Sequence, residues 1–208
     1  MRPENSTNDK NELSFIEKAR RAQIVESAII TISTLGYAKA SLAQIAIRAG
    51  ISKGVISYHF AGKEELIQQV VTEVYAAAAA NMGPQIQAES TAATRLKAYI
   101  ESNLAFMRNY RKHIVALHEI WSNRRSNDSA SSLIMMKHES GLCDLERLLV
   151  HGQDTGEFRD FNPRTLAAII RNTIDMASHQ SAANEDFDWD EFARELVALF
   201  SRATYREI

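Results

Sequence analysis

The chain has 208 residues, of which 45% are hydrophobic, and a formal net charge of −2 at pH 7. This length and hydrophobic content can bury a substantial core, which favours a folded, soluble protein over a disordered chain. No run of about 18 or more apolar residues occurs, so no membrane-spanning helix is expected. The polar first residues lack the apolar core of a signal peptide, and the single cysteine, Cys143, cannot form an internal disulfide, so a cytoplasmic protein is expected.

Charge is distributed unevenly along the chain. Residues 1–62 contain 8 Lys and Arg against 5 Asp and Glu, a net charge of +3. The remaining residues contain 16 basic and 21 acidic side chains, a net charge of −5. A basic N-terminal segment on an acidic body suits a protein that contacts phosphates with one end only.

The composition predicts an all-α chain. Only 3 prolines and 8 glycines interrupt the sequence, and the long stretches between them are rich in strong helix formers. No run alternates apolar and polar residues between turn dipeptides, as a strand would. The first 13 residues are polar and aperiodic and predict a flexible arm. A first helical pattern begins at Ile16 and ends at Gly36, and its apolar face consists of Ile24, Val25, Ala28, Ile29 and Ile32.

Two short helices follow the first one. Ser41 and Gln44 have the spacing of a capping box, and Gly50 ends the helix that they open after about two turns. Ser52 can cap the next helix. Two short helices joined by a tight, glycine-containing turn are typical of a helix-turn-helix.

Six further helices are predicted, for a total of about nine. Glu64 and Glu65 lie in the first turn of the fourth helix, where acidic side chains interact favourably with the helix dipole. Asn162 can cap the eighth helix, with Pro163 at its first position. Ser126 to Ser132 read as a loop before the seventh helix. The six helices are expected at about 63–83, 91–109, 112–124, 130–152, 163–183 and 188–204.

The third helix has a face suited to DNA. On a helical wheel Ile56 and Phe60 fall together and should face the core. A lysine can reach a phosphate or a guanine edge, a serine a base or a phosphate, and a tyrosine hydroxyl a phosphate. A glycine lets the backbone approach the groove closely. The same pattern also fits a short surface helix without any DNA function. The exposed arc consists of Lys53, Gly54, Ser57 and Tyr58.

Several short sequences occur in fixed order between residues 17 and 66: Gly36-Tyr37, Ser41 to Gly50, Ile51-Ser52-Lys53-Gly54, Tyr58-His59-Phe60 and Lys63-Glu64-Glu65-Leu66. Together they closely resemble the DNA-binding domain of TetR-family transcriptional regulators. After the flexible arm that composition predicts, placed at residues 1–14, the resemblance implies a helix-turn-helix domain at 15–62 and an effector-binding and dimerisation domain at 63–208. It also implies repression that a small molecule relieves.

The resemblance carries roles to individual residues. It implies that Ser41 and Lys63 contact phosphates at helix N-termini, and that Tyr58 and His59 anchor the DNA backbone. This sequence differs from many family members at Ser57, where an aromatic residue is common, and at Ala61, where proline is common. The sequence GVISYHFAGKEEL instead resembles the subset that includes the choline-responsive BetI-type repressors. The residues implied to lie against bases are Lys53, Gly54, Val55 and Ser57, with Ser52 next to them at the helix start.

The last two helices are implied to form a four-helix dimer interface with the same helices of a second copy. Two-fold DNA sites normally call for a dimer. The same apolar residues could instead pack inside the monomer. They are Leu166, Ile169, Ile170, Thr173 and Ile174 on one helix, and Phe192, Leu196, Leu199 and Phe200 on the other.

A pocket for an unknown small-molecule effector is expected among the fifth to eighth helices. Aromatic and methionine side chains line adaptable pockets, although each of them also fills ordinary cores. The candidate lining residues are Phe106, Met107, Tyr110, Trp121, Met135, Cys143, Met176 and His179.

No catalytic, metal or cofactor site is expected. His113 and His118 are five residues apart, which fits one helix face poorly, and no HExxH motif occurs. His138, Glu119 and Glu139 complete the set that invites a metal hypothesis. The favoured interpretation is a homodimeric, ligand-responsive repressor that binds a palindromic operator in double-stranded DNA and no membrane. The alternatives are a ligand-binding or catalytic helical bundle with an incidental helix-turn-helix, and an architectural DNA-binding protein without an effector.

Overall fold

The computed structural model describes residues 14–123, 129–184 and 186–206. The first 13 residues, where the flexible arm is predicted, lie outside these ranges. The described ranges contain nine helices and no strand, so the predicted all-α class is confirmed. None of these helices is long and apolar enough to cross a membrane. Their bounds are α1 Phe15–Leu35, α2 Leu42–Ala49, α3 Lys53–His59, α4 Lys63–Gln87, α5 Ala92–Asn109, α6 Arg111–Ser122, α7 Ser129–Asp154, α8 Pro163–Ala183 and α9 Trp189–Thr204.

Side-chain caps set most of the helix starts. Ser41 Oγ accepts the N–H of Gln44 at 3.2 Å, and Ser52 Oγ accepts the N–H of Val55 at 3.4 Å. Asn162 Oδ1 accepts the N–H of Thr165 at 2.8 Å, with Pro163 in the first turn. Each cap satisfies a backbone donor that the helix itself leaves unpaired. The predicted starts of α2, α3 and α8 are therefore confirmed.

Two helix boundaries differ from the prediction. Helix α4 does not end at Gly83-Pro84 but continues to Gln87, because a proline near a helix end removes only one backbone hydrogen bond. The Ala88 N–H still donates to the Pro84 carbonyl at 3.0 Å. The predicted loop over Ser126 to Ser132 extends too far, since Ser129 to Ser132 are already helical: Ala130 is fully buried against the core, and the Ser129 hydroxyl donates to Glu64 of α4.

Two clusters of buried side chains form the interior. The first joins α1, α2 and α3 to α4, α6 and α7, and the second joins α5, α7, α8 and α9. The predicted domain boundary after residue 62 falls at the start of α4, and the first cluster crosses it. The three N-terminal helices therefore share their core with α6, one wall of the cavity described below. The largest buried side chains of the first cluster are Ile24, Ile29, Ile32, Ile45, Ile56, Phe60, Leu66, Ile67 and Ile120.

Candidate DNA-binding surface and effector cavity

Helix α3 presents the predicted polar face to solvent. Ile56 and Phe60 are buried, as the helical wheel predicts, whereas the Tyr58 side chain is 76% exposed. Lys53, Gly54 and Ser57 are also exposed, and Val55 and His59 are half-buried. Because Ile56 and Phe60 pack one side of α3 against the core, the opposite side is accessible to a partner such as the major groove of DNA. The two cap serines, Ser41 and Ser52, are exposed at the starts of α2 and α3.

Arg21 of α1 fixes the end of α3, a role that the sequence analysis missed. Its guanidinium donates to the carbonyl of His59 and lies 4.1 Å from the centre of the Phe60 ring. Glu65 of α4 pairs with the same guanidinium at 3.5 Å and accepts the Ala61 N–H at 2.6 Å. These contacts orient α3 relative to α1 and α4. A basic residue one turn before a buried apolar face is the only sequence signal for them, and it is weak.

Lys63 takes an internal partner in this structure. Its Nζ donates to the Tyr37 carbonyl at 2.9 Å and lies 4.3 Å from the centre of the Tyr37 ring. Burial of the ammonium lowers the pKa of Lys63 below its ordinary value. The phosphate contact expected of Lys63 stays a prediction, and the ammonium would have to leave Tyr37 to make it.

A cavity of about 150 Å³ lies between α5, α6, α8 and the start of α9. Five residues of α6 spaced three or four apart line one wall, because that spacing places them on one helix face. Trp189 and the end of α8 form the opposite side. The lining residues are Met107, Arg111, Ile114, Val115, His118, Glu119, Ser178, His179, Ser181 and Trp189.

Two of the eight predicted lining residues, Met107 and His179, lie in this cavity. Phe106 and Tyr110 stack on each other instead, with ring centres 4.5 Å apart. Met135 and Met176 are exposed on the outer surface, because each projects from the face of its helix that points away from the core. The last two are held elsewhere: Trp121 packs against the first core cluster, and Cys143 Sγ lies 3.7 Å from Arg164.

Two imidazoles face each other in the cavity. The rings of His118 and His179 are parallel within 2°, and their centres are 4.6 Å apart. Burial lowers the pKa of His118, the neighbouring His179 lowers it further, and Asp175 acts in the opposite direction. The lowered pKa favours the neutral form of His118, and the stacked rings of the pair offer flat, polarisable faces to the cavity.

The other residues considered for a metal site, and not expected to form one, have separate partners. His113 Nε2 lies 3.6 Å from Glu26, and His138 Nε2 lies 3.7 Å from Asp175. Glu139 accepts two hydrogen bonds from Arg164, which lowers the pKa of its carboxyl. Within the described ranges, no three or more His, Cys, Asp or Glu side chains are grouped closely enough to hold a metal ion.

Glu119 connects the cavity to the helix-turn-helix. Its Oε2 atom accepts the backbone N–H of Tyr37 at 2.9 Å, in the turn between α1 and α2. A β-carbon at Gly36 would lie 3.2 Å from the same oxygen. Gly36 has φ 78° and ψ 157°, a conformation that is essentially restricted to glycine. Glycine at position 36 therefore leaves space for the Glu119 carboxylate.

Replacing Gly36 with alanine is expected to lower the free energy of unfolding by about 1–3 kcal/mol, because the backbone becomes strained and the new methyl group presses on Glu119. Urea unfolding at fixed protein concentration measures the change. Gly50→Ala is the matched control: Gly50 has φ 66° in the left-handed helical region, and among the described residues no atom beyond its chain neighbours lies within 4 Å of the added β-carbon. Equal losses for both variants, or a larger loss at Gly50, would contradict this account of Gly36.

The sequence matches known proteins both in its N-terminal helices and over most of its length. Residues 24–70 match the family model of bacterial regulatory proteins of the tetR family. The HTH-type transcriptional regulator BetI of Cronobacter sakazakii is 31% identical over 166 residues, which cover 76% of this chain and 75% of that protein. BetI 1 of Chromohalobacter salexigens is 37% identical over 59 residues, 28% of this chain and 29% of that relative.

Solved structures share the fold. A regulator from Saccharomonospora viridis in complex with choline has a TM-score of 0.82 and 20% identity, covering 91% of this chain and 100% of that one. AibR in complex with isovaleryl coenzyme A and operator DNA has a TM-score of 0.74 and 19% identity, covering 86% of this chain and 97% of that one. At these identities the similarity establishes the architecture, an N-terminal helix-turn-helix and a larger helical domain.

Proposed function

The chain belongs to the TetR family of bacterial transcriptional regulators, and from that premise we propose that it is a ligand-responsive repressor that binds a palindromic operator as a homodimer. The observation that carries the proposal is the exposed polar face of α3, held in place from behind by Ile56 and Phe60. On this proposal residues 15–62 read DNA, and residues 63–208 bind the effector and form the dimer.

The proposed contacts divide into two groups. At the start of α3, Lys53, Gly54, Val55 and Ser57 lie against base edges in the major groove, since a recognition helix enters the groove with its N-terminal residues nearest the bases. Phosphate contacts come from the surrounding residues and fix the orientation of the helix without reading sequence. They are proposed for Ser41, Ser52, Tyr58, His59 and Lys63.

The proposed dimer interface is the outer face of α8 and α9. Ile169 and Met176 of α8 are 50% and 54% exposed, and Leu199 of α9 is 58% exposed. Ile170, Ile174, Leu196 and Phe200 are buried in the monomer, so the apolar residues of these helices serve two purposes. Large exposed apolar side chains on neighbouring helices are typical of a surface that a partner covers.

Replacing Leu199 with glutamate is expected to shift the protein from dimer to monomer, because a carboxylate buried without a partner destabilises the interface. Sedimentation velocity measures this shift. The affinity for the operator should fall as well, because a monomer contacts only one half-site. Glu195→Gln, an exposed position one turn earlier on α9, is the control and should remain dimeric. A dimeric Leu199→Glu protein would rule out this face as the interface.

The effector proposed here is a small molecule bound in the cavity. A volume of about 150 Å³ is below the roughly 300–1,000 Å³ of pockets for drug-sized ligands. A molecule the size of choline, the ligand of the S. viridis structure, suits this volume, whereas a coenzyme A thioester exceeds it. Repression is relieved only if the effector binds more tightly to a conformation that no longer matches the operator.

Transcription in vitro tests the proposal as a whole. The template carries a promoter overlapped by an operator that the protein selects from random duplexes. The expected result is that the purified protein lowers transcript yield from this template, but not from one with a scrambled operator. Increased transcription would identify an activator instead, and unchanged transcription despite tight operator binding would contradict a role in transcription from that site.

A further inference from the structure

The first turn of α1 contains one of the few acidic residues of the helix-turn-helix. Residues 14–62 carry six basic side chains but only two acidic ones, Glu17 and Glu26. Glu26 is directed to the larger domain, where its carboxylate lies 3.6 Å from His113 of α6. Glu17 is therefore the acidic residue of these helices whose placement bears on contacts with phosphate groups.

Glu17 lies on the face of α1 that packs against the end of α3. Arg21, one turn further along α1, donates to the His59 carbonyl and lies 4.1 Å from the centre of the Phe60 ring. Residues four apart share a helix face, so Glu17 is placed beside the same end of α3. The charge of Arg21 is paired with Glu65 of α4 at 3.5 Å. Arg21 thus has its own acidic partner, and the Glu17 carboxylate has other donors.

The donors around Glu17 come from α1 and from α3. Its Oε2 atom accepts the Ser14 N–H at 2.8 Å, which completes the capping box of α1. Hydrogen bonds from Ser14 lower the pKa of the Glu17 carboxyl most, burial opposes them, and the His59 imidazole and Tyr58 hydroxyl lower the pKa further. The rings of Tyr58 and His59 meet edge to face, with centres 5.0 Å apart. One carboxylate therefore acts on both residues that are proposed to anchor the DNA backbone.

A carboxylate and a phosphate compete for the same donors. The Tyr58 hydroxyl has one proton to donate, and an ionised carboxylate only accepts hydrogen bonds. Tyr58 is 76% exposed, so a DNA phosphate can reach its hydroxyl, but the phosphate must displace Glu17 and approach a like charge. Glu17 thus orients the two side chains before DNA arrives and opposes the phosphate that binds them.

We propose that Glu17 is a positioning residue that limits affinity for DNA by withholding Tyr58 and His59 from the phosphate backbone. The inference rests on the proposed function, which assigns those two residues to phosphate contacts. Because a phosphate contact carries no sequence information, the effect applies to all duplexes alike. Removing the charge of Glu17 should therefore strengthen DNA binding without altering which sequence is preferred.

The test compares Glu17→Gln with the wild type on the selected operator and on a duplex of unrelated sequence. The glutamine oxygen can still accept the Ser14 N–H, so the start of α1 is retained, and thermal melting checks the fold. Glu26→Gln, which removes the same charge from the same helix, is the matched control. Fluorescence anisotropy at several salt concentrations measures affinity, and carbon NMR follows the titration of the Glu17 carboxyl without DNA.

Glu17→Gln is expected to bind both duplexes about two- to fivefold more tightly at low salt, the range for one exposed charge contact. The gain should shrink as salt rises, and Glu26→Gln should stay within about 1.5-fold of the wild type, because exposed charges are screened. In a protein that also carries Tyr58→Phe and His59→Gln the gain should largely disappear, since Glu17 then has no donor to withhold. Those two changes alone should raise the pKa of Glu17 in the free protein, because they remove hydrogen-bonding and charged groups that favour the carboxylate.

Three results would overturn the inference. They are unchanged or weaker DNA binding by a folded Glu17→Gln protein, a gain of equal size without Tyr58 and His59, and a Glu17 pKa that neither of those substitutions moves. If Glu17→Gln does not fold, the titration of Glu17 in the Tyr58→Phe, His59→Gln protein decides instead. A wild type that selects no operator, while Glu17→Gln still gains the expected affinity for unrelated duplexes, would refute the proposed function and leave the role of Glu17 standing.

Discussion

Lys53→Ala is expected to raise the dissociation constant for the operator by about 5- to 150-fold, which corresponds to the roughly 1–3 kcal/mol of a good base contact in the major groove. Lys53 is the first residue of α3 and is exposed, and the cap by Ser52 and the buried Ile56 hold the helix without it. The substitution should therefore remove a DNA contact and leave the fold and the dimer intact. Fluorescence anisotropy at a stated salt concentration measures the effect.

The matched control for Lys53 is Lys97→Ala. Lys97 is an exposed lysine of α5 that pairs weakly with Glu101 at 3.9 Å, and its removal takes the same charge from a helix outside the helix-turn-helix. Operator binding by this variant should stay within about twofold of wild type, since distant surface charges are screened. If Lys53 contacts a guanine, its loss also relaxes sequence preference, whereas a phosphate contact would weaken all sequences equally. Wild-type operator affinity in Lys53→Ala would contradict the assignment of α3 as the recognition helix.

Gly152→Ala is expected to lower the free energy of unfolding by about 1–3 kcal/mol, the usual cost of an extra methyl group in a packed core. A β-carbon at Gly152 would lie 2.1 Å from the ring of Phe158, which is itself buried. The ring cannot retreat freely, because the Phe158 N–H donates to the Gly152 carbonyl at 2.9 Å and Phe158 pairs with Tyr205. Urea unfolding at a single protein concentration gives the value.

Gly141→Ala, in the same helix, is expected to have the opposite effect on the free energy of unfolding. Gly141 also lies within α7, but in the part of the chain that the structure describes no atom beyond its chain neighbours and the nearby helix backbone lies within 4 Å of its added β-carbon. Alanine there should raise stability by about 0.5–1 kcal/mol, since glycine is a poor helix former. The prediction fails if the two variants change stability in the same direction by similar amounts.

Local signals in the sequence were sufficient to predict several helix starts and the exposed face of α3. Ser41, Ser52 and Asn162 identify helix starts because a cap is a contact between residues three apart. The face of α3 was also predictable, since two buried apolar residues four apart define its inner side. By contrast, nothing local indicated that Arg21 would hold the end of α3, because its partner is 38 residues away.

The cavity could not be assembled from the same signals. Met135 and Met176 have the residue type of a pocket lining but lie on outer faces, because helix spacing defines a face without stating what it packs against. Glu119 stood out only as a member of a possible metal set, and its partner, Tyr37, is 82 residues distant. Arg171 and Asp175 are half-buried in the larger domain and joined at 2.8 Å, and the only sequence sign of this ion pair was their i,i+4 spacing.

Selection from a pool of random duplex DNA, repeated over several rounds at a stated salt concentration and followed by sequencing, tests the central claim most directly. A dimeric reader of the proposed kind should enrich a palindrome whose half-sites are centred about one helical turn apart, roughly 34–36 Å. A pool without enrichment, with only weak binding that salt abolishes, would contradict a sequence-specific operator and reduce the helix-turn-helix to a non-specific contact.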